Sequence, residues 1–428
     1  MVLRVSFGVM NLTDCFRAPD ALIPLDQALD FLAERLEPVT GVEDVPLDQA
    51  CRRILARDIV TGVTNPPFAA SAMDGYAFAF DDLPEPGGGA TLRVAARIAA
   101  GHAHHGVFAK GEAARIFTGA PMPAGLDTVV MQEHCREEDG QVVLPAGTRR
   151  GDWVRPAGLD VVAGDVVLRG GRRLRPQDIA MASSVGCVGL PVRRPLVVGV
   201  FSTGDELVEP GRPLPEGAIY GSNRQGVLAL VRALGCDAVD LGNIPDRLEE
   251  TRACLAGAAD RCDLLITSGG VSVGGEDHVK TAVQSLGALS LWRLALKPGK
   301  PTALGHVGKA AFVGLPGNPV AGMVAFMLVA RPVILRLAGA TGEPVRPVCF
   351  PVRSRFSFDK EEGRRQFIRV SLRPGDGGQP EAHLFRTQES NVLSSLVETD
   401  GLVDLAEDVR RVSPGDRVDF IPYADLLW

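Results

Sequence analysis

Thr267-Ser-Gly-Gly-Val-Ser-Val-Gly-Gly-Glu-Asp277 follows a short apolar segment, Leu264 to Ile266, and holds four glycines in eleven residues. The pattern predicts a buried strand that opens onto a phosphate-cradling loop. Glycine lets the backbone approach an anion closely and aim several N–H groups at it. Ser268 and Ser272 add hydroxyl donors, and Asp277 supplies a carboxylate that can hold a metal on those phosphates. Two further stretches repeat the arrangement. Ser202-Thr-Gly-Asp-Glu206 follows Leu196 to Phe201, and Gly314-Leu-Pro-Gly-Asn-Pro319 follows Ala311 to Val313. Three such turns in one α/β segment belong at the carboxyl edge of one sheet, where open α/β folds bind ligands.

The surrounding pattern supports that sheet. Strands are expected at Leu196 to Phe201, Ala238 to Leu241, Leu264 to Ile266 and Leu291 to Leu296, the last with a hairpin partner at Ala310 to Val313. Helices are expected between them at Ser222 to Leu234, Arg247 to Ala259 and about Asp277 to Leu286. A long helix from Pro319 follows, with a kink expected at Pro332. This βαβ alternation implies a doubly wound, largely parallel sheet. Toward the N-terminus, the apolar spacing of Leu25, Ala28, Leu29, Leu32 and Leu36 predicts an amphipathic helix from Pro24 to Leu36, and a second helix is expected from Leu47 to Val60. Residues 1 to 20 lack periodicity and read as a tail. Between about 90 and 170, Thr91 to Arg97, Ala114 to Phe117, Thr128 to Met131 and Val142 to Leu144 are short Val- and Ile-rich segments that predict a β-rich insertion. Pro176 to Gly186 fits a capped helix. After Gly342, Val348 to Phe356, Gln366 to Leu372 and Val418 to Ile421 predict a small β-barrel or sandwich.

Composition narrows the class. A chain of 428 residues exceeds the ~250 to 300 that one core sustains, so two to four domains are expected. A net charge of −7 argues against a general nucleic-acid or membrane-surface role. Eight cysteines without a CxxC, and no charged-then-apolar leader, predict a reducing cytoplasmic setting. The apolar run near Val320 to Ala330 reads as too short to span a bilayer. His102, His104 and His105 form a local cluster that reads as a solvated loop, since no cysteines lie at zinc-ligand spacing.

Taken in order, Ser71-Ala-Met-Asp-Gly-Tyr-Ala77, Arg115-Ile-Phe-Thr-Gly-Ala-Pro121, Phe201-Ser-Thr-Gly-Asp-Glu-Leu207, Ser268-Gly-Gly-Val-Ser-Val-Gly274, Lys297-Pro-Gly-Lys-Pro301 and Gly314-Leu-Pro-Gly-Asn-Pro319 resemble motifs of the molybdopterin molybdenumtransferases, the MoeA proteins and the E domain of gephyrin. The resemblance implies a multidomain α/β plus β chain. Residues 1–46 and 147–190 would form an elongated linking domain, 47–146 an inserted β-rich domain, 191–342 a MogA-like, doubly wound molybdopterin-binding domain, and 343–428 a C-terminal β-barrel. It further implies insertion of molybdenum from molybdate into adenylylated molybdopterin, with release of AMP and help from a divalent cation such as Mg2+. The family works as a homodimer whose site is shared between subunits, beside a molybdopterin adenylyltransferase and downstream cofactor-modifying enzymes or molybdoenzymes, with no nucleic acid or membrane partner.

The chemistry of such an anionic substrate gives the residues roles. Lys297 and Lys300 flank a Pro-Gly turn and can hold phosphate or molybdate as point charges. Glu206 and Asp277 are the favoured metal ligands, with Asp205 less favoured. Ser202, Thr203 and Gly204 would contact the cofactor. Ser268, Gly269, Gly270 and Ser272 would hold the pterin-side phosphate, and Pro316, Gly317 and Asn318 would line the pterin pocket. Asp74 and Thr118 match positions that complete the site from the partner subunit, Ser390 matches a barrel serine, and Arg369 adds a basic group. Three positions depart from the family pattern: Gly221 stands where an acid is usual before Ser222-Asn223, Gly158-Leu-Asp160 replaces Gly-Glu-Asp, and Gln388-Glu-Ser-Asn391 replaces Gln-Gly-Ser-Gly. Two rival readings are a molybdopterin adenylyltransferase and a non-catalytic molybdopterin-binding scaffold or carrier.

Overall fold

The computed structural model describes residues 22–85, 87–270, 278–299, 301–375 and 378–427. The chain forms two compact units. Among the described residues, one comprises those up to 57, 170–174 and those from 190 on, and the other those within 58–169 and 175–189.

In the larger unit, α1 (Leu25–Arg35) buries Leu25, Ala28, Leu29 and Leu32 as its spacing predicts. The helix expected from Leu47 to Val60 is limited to Leu47–Ala50. Tertiary backbone pairing overrides propensity there. Arg52 turns to φ 68° and the chain becomes extended, with the Arg52 N–H donating to Leu174 O, Leu55 to Arg172 O and Ala56 to Pro191 O.

The smaller unit carries a six-stranded sheet of β1 (Gly75–Phe78), β2 (Ala90–Ile98), β3 (Glu112–Ile116), β4 (Thr128–Met131), β5 (Arg136–Glu138) and β6 (Gln141–Leu144), in the order β4-β1-β3-β2-β6-β5. Successive side chains point to opposite faces, so Tyr76, Phe78 and Val130 enter one core while Ala77, Ala114 and Val129 enter another. Helix α2 (Pro176–Ser184) has proline in its first turn, as its sequence suggests.

The α/β part of the larger unit is built on β7 (Val197–Thr203), β8 (Asp237–Ile244), β9 (Leu264–Ser268), β10 (Gly287–Arg293), β12 (Pro301–Val307) and β13 (Ala310–Leu315), ordered β8-β7-β9-β13-β12-β10. The first four strands are parallel and the last two complete an antiparallel edge. Helix α3 (Ser222–Ala233) lies on one face, and α4 (Leu248–Ala259) and α5 (His278–Leu286) on the other. Leu264 and Ile266 enter the α3 core while Leu265 between them enters the α4–α5 core. Burial on both faces explains why these strands read as continuous apolar runs.

The strand expected over Leu291 to Leu296 is divided. Gly287–Arg293 belongs to the sheet, whereas β11 (Leu296–Lys297) crosses to pair with the C-terminal barrel. The hairpin partner of Ala310–Leu315 is accordingly Pro301–Val307. The long helix begins as α6 (Pro319–Ala325), runs through a π-helical segment at Phe326–Ala330, and continues as α7 (Arg331–Ala338) with Pro332 in its first turn. A π segment of this kind takes up the i−4 partner that proline cannot supply. The helical run spans Pro319–Ala338, 20 residues with mean hydropathy 1.9, so it exceeds the short run read from sequence. It is 89% buried inside the protein, as a core helix is.

The C-terminal strands β14 (Phe350–Ser354), β15 (Arg365–Pro374), β16 (Pro380–Leu384), β17 (Gly401–Leu405) and β18 (Arg417–Pro422) close in the order β15-β16-β14-β18-β17-β15. This is a five-stranded barrel, which resolves the barrel-or-sandwich alternative. Its interior holds Val352, Ile368, Val370, Ala382, Val403 and Phe420.

Candidate active site

Strands β7, β9 and β13 are adjacent and parallel, so their C-terminal turns share one edge of the sheet. The register places Ser202 beside Ser268 and Ser268 beside Leu315, one row from the turns. All three glycine-bearing turns therefore face the same space, a cleft of about 1140 Å³. Its α/β wall includes Glu206, Gly269, Gly270, Lys297, Pro316, Gly317 and Asn318. Its barrel wall includes Gln366, Arg369, Gln388, Glu389 and Ser390.

Backbone conformation shapes the α/β wall. Gly269 and Gly270 take φ +95° and +67°, and a Cβ at Gly270 would lie 2.7 Å from both Thr203 Oγ1 and a Val279 methyl. Only glycine permits the turn to pass there. Gly204 takes φ +140°, and a Cβ on it would lie 2.4 Å from a Glu206 carboxylate oxygen. The Glu206 carboxylate thus folds over the bare Cα of Gly204. Asn243, at the end of β8, donates from Nδ2 to Gly204 O at 3.2 Å and steadies this turn.

A polar relay ties the turns together. Asn223 Nδ2 donates to Ser268 Oγ at 2.8 Å and to Gly317 O at 2.7 Å. Asn318 Nδ2 reaches Ser390 Oγ at 2.9 Å, and the Val320 N–H donates to Ser390 O at 3.0 Å. The Ser390 loop is thereby fastened to the start of α6. Lys297 sits where β11 pairs with β15, opposite Gln366, and the turn after it holds Gly299 at φ +114°.

Arg369 organises the barrel wall. It is 1% exposed, and its guanidinium donates to Ser395 Oγ at 3.1 Å and to Glu389 O at 3.0 Å. Its backbone N–H and C=O are both held by the Gln388 amide, at 2.9 and 3.1 Å. Burial pulls its pKa below the ordinary arginine value.

In the smaller unit, Asp74 and Thr118 come together. Asp74 Oδ1 accepts from the Thr118 N–H at 2.8 Å and from its hydroxyl at 2.7 Å. These bonds hold the carboxyl below the usual carboxylate range. Arg115 stacks on Phe117 and Tyr76 beside them.

Ser272, Asp277 and Lys300 lie outside the described residues. Asn223 and Gln388 carry much of the geometry, yet the sequence names them only as members of the Ser222-Asn223 and Gln388-Glu-Ser-Asn391 stretches and gives neither a role of its own.

Three family models match the chain in succession: the MoeA N-terminal region (domain I and II) over residues 23–186, a probable molybdopterin binding domain over 199–336, and the MoeA C-terminal region (domain IV) over 351–423. The molybdopterin molybdenumtransferase of Haemophilus influenzae is 38% identical over 407 residues, 95% of this chain and 100% of that protein. The chain belongs to the MoeA family of molybdopterin molybdenumtransferases. Molybdopterin molybdenumtransferase 2 of Mycobacterium tuberculosis strain H37Rv is 36% identical over 387 residues, 87% of this chain and 93% of that one. Among solved structures, the molybdopterin biosynthesis moeA protein from Pyrococcus horikoshii OT3 matches with TM-score 0.78 and 28% identity, covering 94% of this chain and 100% of that one.

Matches on both sides of the α/β domain set the chain apart from a protein with that domain alone, and the MoeA membership accounts for its N-terminal and barrel portions. Where an acid is usual in the MoeA pattern, Gly221 caps α3 at φ −71° with no side-chain cap. A Cβ there would meet nothing nearer than 3.9 Å. Among the described residues, no group of three His, Cys, Asp or Glu side chains is arranged to hold a metal ion, and the His102 to His105 loop is no exception.

Proposed function

We propose that this molybdenum-cofactor transferase inserts molybdenum from molybdate into the dithiolene of adenylylated molybdopterin and releases AMP. The observation that carries the reading is the convergence of the β7, β9 and β13 turns with Lys297 on one cleft of about 1140 Å³. Such a volume exceeds the ~300–1,000 Å³ of drug-sized ligand sites and suits a long dinucleotide-like substrate.

In this reading Ser268, Gly269, Gly270 and Ser272 hold the pterin-side phosphate, with Ser202, Thr203 and Gly204 beside them. Pro316, Gly317, Asn318 and Ser390 line the pterin. Lys297 and Lys300 hold molybdate or the phosphoanhydride as compact charges, and Arg369 keeps the Ser390 loop in place. Asp74 and Thr118 complete the site from the partner of a homodimer. A carboxylate, Glu206, is folded over Gly204 at the cleft wall and offers the hard oxygen that Mg2+ prefers. That donor set fits a cation held by one or two carboxylates and substrate phosphates, with Asp277 as the second. When bound, the cation neutralises charge on the phosphoanhydride. We assign the linking segments to 1–46 and 147–190, the inserted domain to 47–146, the α/β domain to 191–342 and the barrel domain to 343–428. We place the protein in the cytoplasm, between a molybdopterin adenylyltransferase and the downstream enzymes that receive its product. The described cysteines are all free, which fits a reducing compartment.

The test is AMP release from adenylylated molybdopterin with magnesium, molybdate present or absent, with Lys297→Ala and Asp277→Asn in parallel. Molybdate-dependent release suppressed by both substitutions is the expected result. Tight binding without release would move the chain to a scaffold or carrier.

A further inference from the structure

Asp74 immediately precedes β1, and Thr118 lies just beyond the end of β3. Both hydrogen bonds between them end on one oxygen, Asp74 Oδ1, which accepts from the Thr118 N–H and from its hydroxyl. No described residue donates to Oδ2, so Oδ2 is the oxygen that the pair can offer to a substrate. Two strand ends joined through a single carboxylate oxygen keep that geometry only if the main chain on either side is held.

Arg115 holds it. Its side chain makes no hydrogen bond to Asp74 or Thr118, yet it grips a neighbour of each. Nη1 donates to Gly75 O at 2.8 Å, one residue after Asp74. Nη2 donates to Gln132 Oε1, and the Gln132 N–H in turn donates to Asp74 O at 3.0 Å. The guanidinium also lies 4.7 Å from the centroid of the Phe117 ring, one residue before Thr118, and 5.1 Å from that of Tyr76. A planar fork can stack and donate in two directions at once, which an ammonium cannot. Gly75 is confined from the β4 side as well, where a Cβ on it would lie 1.9 Å from Val130 O.

Arg97 provides an internal comparison. It is the register partner of Arg115 between β2 and β3, and its guanidinium lies 4.8 Å from the same Phe117 ring. Its side chain makes no hydrogen bond or ion pair with a described residue. The two arginines share charge and stacking, and only Arg115 adds a hold on the main chain.

We propose that Arg115 is a positioning residue for the transfer reaction: by holding Gly75, Gln132 and Phe117 it fixes Asp74 and Thr118 so that Oδ1 is spent within the pair and Oδ2 is presented to the substrate. The inference deepens the function proposed above and rests on its assignment of Asp74 and Thr118 to the site.

The test measures kcat and KM for molybdate-dependent AMP release by the full-length protein, with the Thr118 amide resonance read on the same samples. Arg115→Lys keeps the charge and loses the fork. It is expected to lower kcat by roughly ten- to a hundredfold, to leave KM for adenylylated molybdopterin within about twofold, and to shift the Thr118 resonance. Arg97→Gln removes a guanidinium from the same ring and should leave the resonance in place and kcat within about twofold. Gln132→Ala, at an exposed position, removes one part of the hold and serves if Arg115→Lys does not fold; it should act in the same direction and less. An unchanged kcat or an unmoved Thr118 resonance in Arg115→Lys, an equal loss in Arg97→Gln, or a rise in KM with kcat retained overturns the proposal. Asp74→Asn separates this failure from that of the reading beneath it. Loss of kcat in Asp74→Asn with Arg115→Lys unaffected removes only the positioning role, whereas an unaffected Asp74→Asn removes Asp74 from the reaction and ends both.

Discussion

The α/β wall and the barrel wall of the cleft face the same space by different means. On the α/β side, small residues in left-handed backbone conformations, Gly204, Gly269 and Gly270, bring main-chain groups to the surface. On the barrel side, a buried arginine holds a loop from behind, with its guanidinium on carbonyl and hydroxyl oxygens and its own backbone gripped by Gln388. One wall is shaped by what a residue lacks, the other by what a side chain reaches. The difference predicts that the barrel wall is sensitive to truncation and the α/β wall to addition.

The largest effect should come from Arg369→Ala. It opens a cavity in the barrel, leaves the buried Ser395 hydroxyl without this donor and frees the part-buried Glu389 carbonyl, so unfolding free energy should fall by about 3–5 kcal/mol in denaturant titrations. A loss below that of a glycine substitution on the opposite wall would erase the contrast. Gly204→Ala comes next. Strain at φ +140° and the clash with Glu206 should cost about 1–3 kcal/mol and should also weaken Mn2+ binding, read by electron paramagnetic resonance. Retained metal affinity would detach Glu206 from the proposed metal site.

Asn318→Ala cuts one of the contacts that join the two walls, and should cost about 1 kcal/mol while raising KM more than it lowers kcat. An effect on kcat alone would mean that Asn318 acts on the reacting atoms. The smallest effect belongs to the other unit. The Asp74 pKa is depressed in the folded state, so its bonds to Thr118 contribute above the unfolded carboxylate pKa and are lost as pH falls through the folded value. The Thr118 amide resonance should therefore shift only at pH below the ordinary carboxylate range, and Asp74→Asn should abolish that shift. A transition near the ordinary value would show that the contact does not persist in solution.

The walls also differ in how far the sequence discloses them. The glycine turns after β7, β9 and β13 were legible because a local rule, apolar strand then glycine, carries them. The sheet class followed from the same alternation. Lys297 was legible as a residue, whereas its placement was not: the run from Leu291 was read as one strand, yet it leaves the sheet at Arg293 and pairs with the barrel at Leu296. The helix expected over Leu47 to Val60 failed for a related reason, since backbone donors at Arg52, Leu55 and Ala56 found partners more than a hundred residues away.

By itself, then, the sequence determined the order of elements, the doubly wound sheet, the family and the glycine turns, because each rests on spacing within a few residues. Only the tertiary structure decided that Arg369 is buried behind Ser390, that Asn223 bridges Ser268 and Gly317, and that the barrel closes through β15 and β17. These depend on which distant groups meet, and hydrogen bonds between residues tens of positions apart leave no period in the chain that makes them.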